Sequence, residues 1–272
     1  MSRIVILGAG IAGHTAARYL NKWVGKNHEI VVVSPNAKWN WIPSNIWVGV
    51  GQMTEQQVTF DLAELYKKTH VDFRQAKALS IHPEGDGNSS TSYVTIEYTD
   101  AKNTGVQENI SYDFLINATG PKLNFGATEG LGPEHGHTVS VCTFGHAKEA
   151  NQKLQDNIEA MRMGESRTFV IGTGHGMCTC QGAAFEYIYN VDHVLREAGV
   201  RDKAKIVWIS NEYELGDFGM GGVHINRGGY VTNGKVFAES LMVERGITWI
   251  TRAHVKKVEA GKIHYEIGRA HV

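Results

Sequence analysis

The chain has 272 residues, is 42% hydrophobic and 20% charged, and carries a formal net charge of -1. That length allows one to two domains with a sizeable core. The near-neutral balance argues against nucleic acid as the main partner, which would need a basic surface or a localised basic patch, and no run of about 18 apolar residues is present to span a bilayer.

Ile4-Val5-Ile6-Leu7 reads as a strand. The residues before it lack the charged, apolar and small-residue succession of a secretory signal, so a cytoplasmic product is expected. The strand runs into Gly8-Ala9-Gly10-Ile11-Ala12-Gly13, a helical pattern follows from Ala12 to Trp23, and Ile30 to Val33 reads as a second strand. Inside such a βαβ unit the GxGxxG spacing is a strong signal. Its glycines permit a tight turn, close approach of the backbone to a pyrophosphate, and close packing of helix on strand. The second strand ends in Ser34, where such units usually carry an acidic ribose ligand, leaving the ribose to a weaker hydroxyl partner.

Pro35 to Val58 reads as one long irregular stretch, with Trp39, Trp41 and Trp47 set among Pro43, Ser44, Asn45, Gly49 and Gly51. Two readings stand: a loop packing on a flat heteroaromatic ring, or a loop anchored to the core by its tryptophans. A helix is predicted over 61–68, strands over 71–74 and 78–82, and a turn over 85–90. Tyr93 to Tyr98 is expected to pair with Glu108 to Tyr112. Next comes a strand predicted to be buried, from Tyr112 into Ala118-Thr119-Gly120-Pro121-Lys122.

Residues 123–143 are rich in glycine and histidine, and helix is predicted over 144–163. A strand over 168–171 then leads into Gly172-Thr173-Gly174-His175-Gly176, and Cys178 and Cys180 sit where that turn hands over to a helix over 181–198. Sulfur adds nothing to the holding of a pyrophosphate, which needs backbone N–H groups. Three cysteines, Cys142, Cys178 and Cys180, are too few for a disulfide scaffold; their clustering suggests reactivity, with small buried hydrophobes as the alternative. A strand over 206–209, a helix over 236–245 and strands over 248–250, 255–259 and 263–265 make a second βαβ unit. The final strand reads as unpartnered. Residues 267–272 look like the translation of a sequencing-library adapter, so a non-native tail and a longer natural chain are expected. The domains are read as 1–125 and 126–266.

Gly8 to Gly13, Ser34, Pro43 to Gly51, Ala118 to Leu123, Ser140-Val141-Cys142-Thr143 with His146, Cys180 with Glu186, and Gly216 to Gly222 together resemble the sulfide:quinone oxidoreductases. These are membrane-associated members of the two-dinucleotide-domain flavoproteins. The resemblance implies an α/β chain of two Rossmann-like dinucleotide-binding domains of the FAD/NAD(P)-linked disulfide oxidoreductase type, with the FAD domain incomplete at its C-terminus. It implies FAD as cofactor, with Gly8, Ala9, Gly10, Ile11, Ala12 and Gly13 at the pyrophosphate, Ser34 and Pro35 at the adenosine ribose, and Ala78 at the adenine. Pro43, Ala118, Thr119 and Gly120 fall to further parts of the cofactor.

Counted back from Phe185-Glu186-Tyr187, Cys180 corresponds to the family's redox cysteine. Counted forward from Gly172, the turn holds one residue more than expected, so Cys178 competes for that role. Cys142 resembles a third cysteine that handles sulfur chains. Glu186 and His146 are candidate proton carriers, with a salt bridge or plain packing as the alternative for each. Asp217 stands where related sequences often carry histidine.

The implied reaction oxidises sulfide to polysulfide or sulfur and passes electrons through FAD to a membrane quinone. Sulfide is a soft nucleophile that attacks a disulfide sulfur, leaving a persulfide on one cysteine and a thiolate on the other. The second redox cysteine, the quinone pocket and the amphipathic membrane helices belong to the family's C-terminal half. This chain alone is therefore expected to be inactive, and the full-length protein to be a peripheral, monotopic membrane protein and a homo-oligomer. No resident metal is expected, since a Cys-x-Cys step is tight for tetrahedral ligation.

Three alternatives accompany that reading. The flavin subunit of a cytochrome c-linked sulfide dehydrogenase is disfavoured by the lack of a signal segment. An NADH:quinone oxidoreductase is disfavoured by the crowding cysteines and by the lack of an acidic ribose ligand in register after Ile209. From a different class comes a non-catalytic flavin- or metal-binding module.

Overall fold

The computed structural model describes residues 1–87, 90–134, 136–173, 175, 181–218 and 220–268. The chain divides into two compact units, residues 1–41 with 56–122, and residues 42–55 with 123–272. Up to residue 122 the elements are β1 (Arg3–Leu7), α1 (Ile11–Val24), β2 (Glu29–Ser34), β3 (Lys38–Asn40), α2 (Asn45–Val48), α3 (Glu55–Val58), β4 (Thr59–Asp61), α4 (Leu62–Tyr66), β5 (Val71–His82), β6 (Tyr93–Tyr98), β7 (Gln107–Ser111) and β8 (Phe114–Asn117).

The first unit is built on a sheet of order β7-β6-β5-β2-β1-β8. β1 lies parallel between β2 and β8, and β2 continues the parallel run to β5. The apolar, β-branched cores of β1 and β2 suit strands covered on both faces, and Val5, Ile6, Ile30 and Val32 are fully buried. Alternate residues feed two cores, one containing Ile4, Ile6, Ile30 and Val32, the other Val5, Leu7, Val31 and Val33. That is the period of two expected of a strand.

Three expectations for this unit are corrected. The predicted strands over 71–74 and 78–82 are one strand, β5. Its first part, Val71 to Gln75, pairs parallel with β2, and its second, Ala76 to His82, pairs antiparallel with β6 past an irregularity between Ala78 and Ser80. The polar Arg74-Gln75 step resembles a break, yet Arg74 is bonded to Asp72, Tyr98 and Glu108.

The Pro35 to Val58 stretch contains ordered elements, since β3 pairs antiparallel with β4. Trp39 stacks between Trp41 and Phe60, with centroids 5.7 Å and 4.8 Å away, and packs on the core, which is the anchoring reading for that tryptophan. The strand leading to Ala118 is not buried: among the described residues β8 is the last strand of this sheet, and Phe114 is 61% exposed.

From residue 123 onward the elements are α5 (Phe144–Arg162), β9 (Arg167–Gly172), α6 (Gln181–Glu197), β10 (Ala204–Ile209), β11 (His224–Arg227), β12 (Tyr230–Asn233), α7 (Gly234–Glu244), β13 (Ile247–Ile250), β14 (Ala253–Glu259) and β15 (Lys262–Ile267). The sheet β13-β10-β9 is wholly parallel, which makes β9, α6, β10, α7 and β13 a second Rossmann-like βαβαβ unit. Trp208, Ile188, Leu195, Ala238 and Met242 fill its core. Helix α5 joins that core through Leu154, Ile158 and Met161, spaced as one helical face.

The stretch 42–55, read from the sequence as part of the first domain, belongs to this second unit. There Val50 enters the core, and Gly49 lies so close to Tyr187 that a Cβ on it would be 2.9 Å from the ring. The final strand is also corrected: β15 pairs antiparallel with β14 from Ala253↔Ile267 to Glu259↔Lys262. β11 and β12 form an antiparallel hairpin, outside the elements expected from the sequence, whose two-residue turn is Gly228-Gly229.

Candidate functional site

The Gly8 to Gly13 turn is closed by backbone against backbone. Gly8 donates its N–H to Val33 O at 2.7 Å, and Ala118 donates to Leu7 O at 2.8 Å, so the turn and the Ala118-Thr119-Gly120 segment meet. Gly8 has φ 95°, and a Cβ there would fall 2.2 Å from Ala118 O. Only glycine fits. Gly10 differs, because a Cβ on it would meet nothing within 4 Å.

Gly10 also caps α1, whose first turn has no acidic residue and no side-chain cap. The first N–H groups of a helix have no intrahelical acceptor, and with the helix dipole they favour an anion. The open space at Gly10 and these free donors fit the pyrophosphate of a dinucleotide.

The remaining predicted cofactor residues of this unit lie on the neighbouring strands. Ser34, at the end of β2, is 3% exposed, and its hydroxyl accepts the Asn36 N–H at 3.4 Å. Pro35 is exposed, and its carbonyl accepts the Thr99 hydroxyl at 3.0 Å. Ala78 is half-buried at the β5 irregularity. Thr119 turns its hydroxyl onto Asn117 Oδ1 at 2.8 Å and is exposed, as is Gly120. Pro43 belongs to the second unit, in a short 3-10 turn from Ile42 to Ser44.

In the second unit Cys142 is a free, exposed thiol just before α5, and its N–H is held by Ser140 Oγ at 3.0 Å. Thr143 caps that helix by accepting the His146 N–H at 3.2 Å, which sets His146 on the first turn. The His146 ring meets Phe125 edge-on at 5.8 Å, its Nε2 lies 3.8 Å from Glu134, and its Nδ1 is buried with no partner among the described residues. Glu186 is exposed on α6. Cys178 and Cys180 lie outside the described residues. Among the described residues, no group of three or more His, Cys, Asp or Glu could hold a metal ion, and no helix is long and apolar enough to cross a membrane.

One group escaped the sequence reading. Beyond Ile209, Ser210, Asn211 and Glu212 are all buried, at 0%, 1% and 4% exposure. The Glu212 carboxyl accepts the Ser210 hydroxyl at 2.7 Å and the Phe218 N–H at 2.8 Å. The acid three residues past the strand end was the available signal. Nothing local indicates that it turns inward.

A parallel βαβ unit with an open glycine turn, followed by a second parallel βαβαβ unit, defines an α/β protein of the dinucleotide-binding fold class. The model of the pyridine nucleotide-disulphide oxidoreductase family matches residues 2–206, and the chain belongs to that family. It is a homologue of the sulfide-quinone reductase of Aquifex aeolicus (strain VF5), at 32% identity over 97% of this chain and 54% of that protein. A mitochondrial sulfide:quinone oxidoreductase from Dictyostelium discoideum is 25% identical over 76% of this chain and 41% of its own length. The crystal structure of the Aquifex aeolicus sulfide:quinone oxidoreductase superposes with a TM-score of 0.80 at 30% identity, covering 98% of this chain and 55% of that one. The chain thus spans about half the length of these relatives. The family is one of FAD-binding flavoproteins, and FAD is the cofactor that the open glycine turn fits.

Proposed function

We propose that the chain is the N-terminal part of a sulfide:quinone oxidoreductase, oxidising sulfide to polysulfide or sulfur and delivering electrons to a membrane quinone. The observation that carries this reading is the 32% identity to a sulfide-quinone reductase along 97% of the chain. FAD, when bound, supplies a two-electron acceptor between the two substrates. In this reading Gly8 to Gly13 hold its pyrophosphate, Ser34, Pro35 and Ala78 its adenosine, and Pro43, Ala118, Thr119 and Gly120 its remainder.

Cys180 is the redox cysteine on this chain, with Cys178 the competing choice. It directly precedes α6 in sequence, and a helix N-terminus favours a thiolate, the form that attacks sulfur. Cys142, exposed and free, handles the sulfur chain, and His146 and Glu186 carry protons. The partner cysteine, the quinone pocket and a peripheral membrane attachment are assigned to the part of the longer relatives that this chain does not match. The oligomer is assigned to the full-length protein.

The test uses the full-length protein in its yellow, flavin-loaded form. Sulfide should bleach the flavin absorbance anaerobically, and NADH should not. Bleaching by NADH alone would replace this reading with an NADH:quinone oxidoreductase. Cys180→Ser should abolish bleaching by sulfide, and loss in Cys178→Ser instead would reverse the choice between the two cysteines.

A further inference from the structure

The segment that carries Pro43 is fastened to the second unit at the end of α2. This helix buries Ile46 and Val48, and Val50 follows them into the core at 2% exposure. Its end is closed by the segment's own amides: Gly49 donates to Asn45 O at 2.8 Å, Gly51 to Val48 O at 3.0 Å and Gln52 to Trp47 O at 2.9 Å. Carbonyls at a helix C-terminus run out of intrahelical donors. One of them, Gly49 O, accepts the Tyr187 hydroxyl of α6 at 3.2 Å.

Gly49 is required for space, not for conformation. Its φ of -63° and ψ of -13° are helical values open to any residue. A Cβ on it would lie 2.9 Å from Tyr187 Cε2 and 2.9 Å from Val141 Cγ1. Carbon atoms attract at about 3.5–4.0 Å, so one of the two side chains would have to move. The backbone of the segment therefore passes between a ring on α6 and a side chain one residue before Cys142. A second close approach follows at Gly51, with φ 79°, where a Cβ would lie 2.8 Å from Asn151 Oδ1 on α5. That oxygen is itself fixed by accepting Gln155 Nε2 at 3.2 Å.

Tyr187 thus does two separable things. Its ring sets how close the segment can come, and its hydroxyl holds the segment there. Burial raises the phenol titration well above the ordinary tyrosine value, so the hydroxyl keeps its proton and donates throughout the working pH range. Phenylalanine would keep the ring and lose the hold.

We propose that Tyr187 is a positioning residue: with Gly49 it forms the joint that fixes segment 42–51 on the second unit and sets the spacing between the Ile42–Ser44 turn and the Val141-Cys142 step. The turn bears Pro43, assigned above to the cofactor, and the step bears the thiol assigned to the sulfur chain. Tyr187 also follows Glu186 directly on α6. The importance of that spacing rests on the function proposed above, whereas the joint itself does not.

Hydrogen–deuterium exchange of the full chain, read on peptides 45–53 and 138–144, tests the joint. Tyr187→Phe should raise exchange of 45–53 about fivefold, the worth of one buried hydrogen bond, and leave 138–144 at the wild-type rate. Gly49→Ala should raise exchange of both peptides about tenfold, because the added methyl displaces Tyr187 or Val141. Combining it with Val141→Ala clears one side of the joint and should bring 45–53 back to within about twofold of the wild type. Two merely destabilising changes would add instead. In the full-length, flavin-loaded protein, Gly49→Ala should shift the visible absorbance maximum of the flavin, and the double variant should restore it.

Wild-type exchange of 45–53 in Tyr187→Phe would overturn the proposal, and so would a double variant that exchanges no more slowly than Gly49→Ala. A flavin band that stays in place while 45–53 exchanges faster would overturn the positioning role. Should Gly49→Ala not fold, Tyr187→Phe decides both points alone, since it adds no atom to the joint. None of these readouts contains sulfide or quinone, so failure of the proposed reaction leaves them standing, and their failure leaves that reaction untouched.

Discussion

A Cβ on Gly13 would lie 1.9 Å from the carbonyl oxygen of Gly8, while one on Gly10, in the same turn, would meet nothing within 4 Å. One motif therefore contains two kinds of glycine. Gly13 lets the helix seat on the turn, and Gly10 leaves space for a ligand. Gly13→Ala should destabilise the first unit by about 3 kcal/mol, as overpacking against backbone does. Gly10→Ala should cost at most about 1 kcal/mol, a helix-cap effect, yet abolish FAD uptake. Thermal melts and FAD fluorescence quenching separate the two effects; undiminished FAD uptake by Gly10→Ala would remove Gly10 from the phosphate cradle.

Asp192 is fully buried and holds three arginines, with Arg201 at 2.6 Å, Arg196 at 2.8 Å and Arg245 at 3.5 Å. Burial pushes its carboxyl up, but the hydrogen bonds and charges of Arg196 and Arg201 hold it below the ordinary aspartate value of 3.8. The folded pKa is lowered, so this stability is present above the unfolded value and lost as pH falls through the folded one. Asp192→Asn should cost about 3 kcal/mol in a denaturant melt near neutral pH, because it strands arginines packed against a buried site. A loss of under about 1 kcal/mol would mean that the cluster contributes no more than surface ion pairs do.

His14 Nδ1 lies 2.9 Å from the Tyr66 hydroxyl. Burial, and then the Arg18 charge, lower the His14 titration from 6.5, while burial raises that of Tyr66 to about 12. The unfolded histidine therefore binds a proton more readily than the folded one, and the first unit should lose stability as pH falls below 6.5 toward the folded value. Tyr66→Phe should cost about 1 kcal/mol by leaving the ring nitrogen without its partner. An NMR titration of His14 at or above 6.5 would contradict the lowered value.

Cys142 is free and exposed, and its residue makes no side-chain packing contribution to a core. It should be labelled by iodoacetamide in the folded chain, and Cys142→Ser should change stability by no more than about 0.5 kcal/mol. Labelling seen only in denaturant would show the thiol to be covered in solution and would count against a role in handling sulfur chains.

Residues 3 to 34 were legible because everything that specifies them is local: an apolar strand, glycines at fixed offsets, a helical period and the Ile30 to Val33 run. The glycine turn at the start of α1 came with them, since helix N-terminus and turn are adjacent in sequence. The Gly228-Gly229 hairpin carries an equally local signal, a two-residue glycine turn.

What the sequence by itself determined was therefore the first βαβ unit with its glycine turn and the β9, α6 and β10 run, because turn chemistry and side-chain periodicity act over a few residues. Tertiary structure alone decided which partner each segment takes. It made β5 one strand shared between a parallel and an antiparallel neighbour, set β8 last in its sheet among the described residues, drew residues 42–55 into the second unit and turned Glu212 inward onto Phe218. Each of these depends on contacts between residues far apart in the chain or on the burial those contacts create, and a carboxylate beyond a strand end reads the same in sequence whether it faces a ligand or a loop.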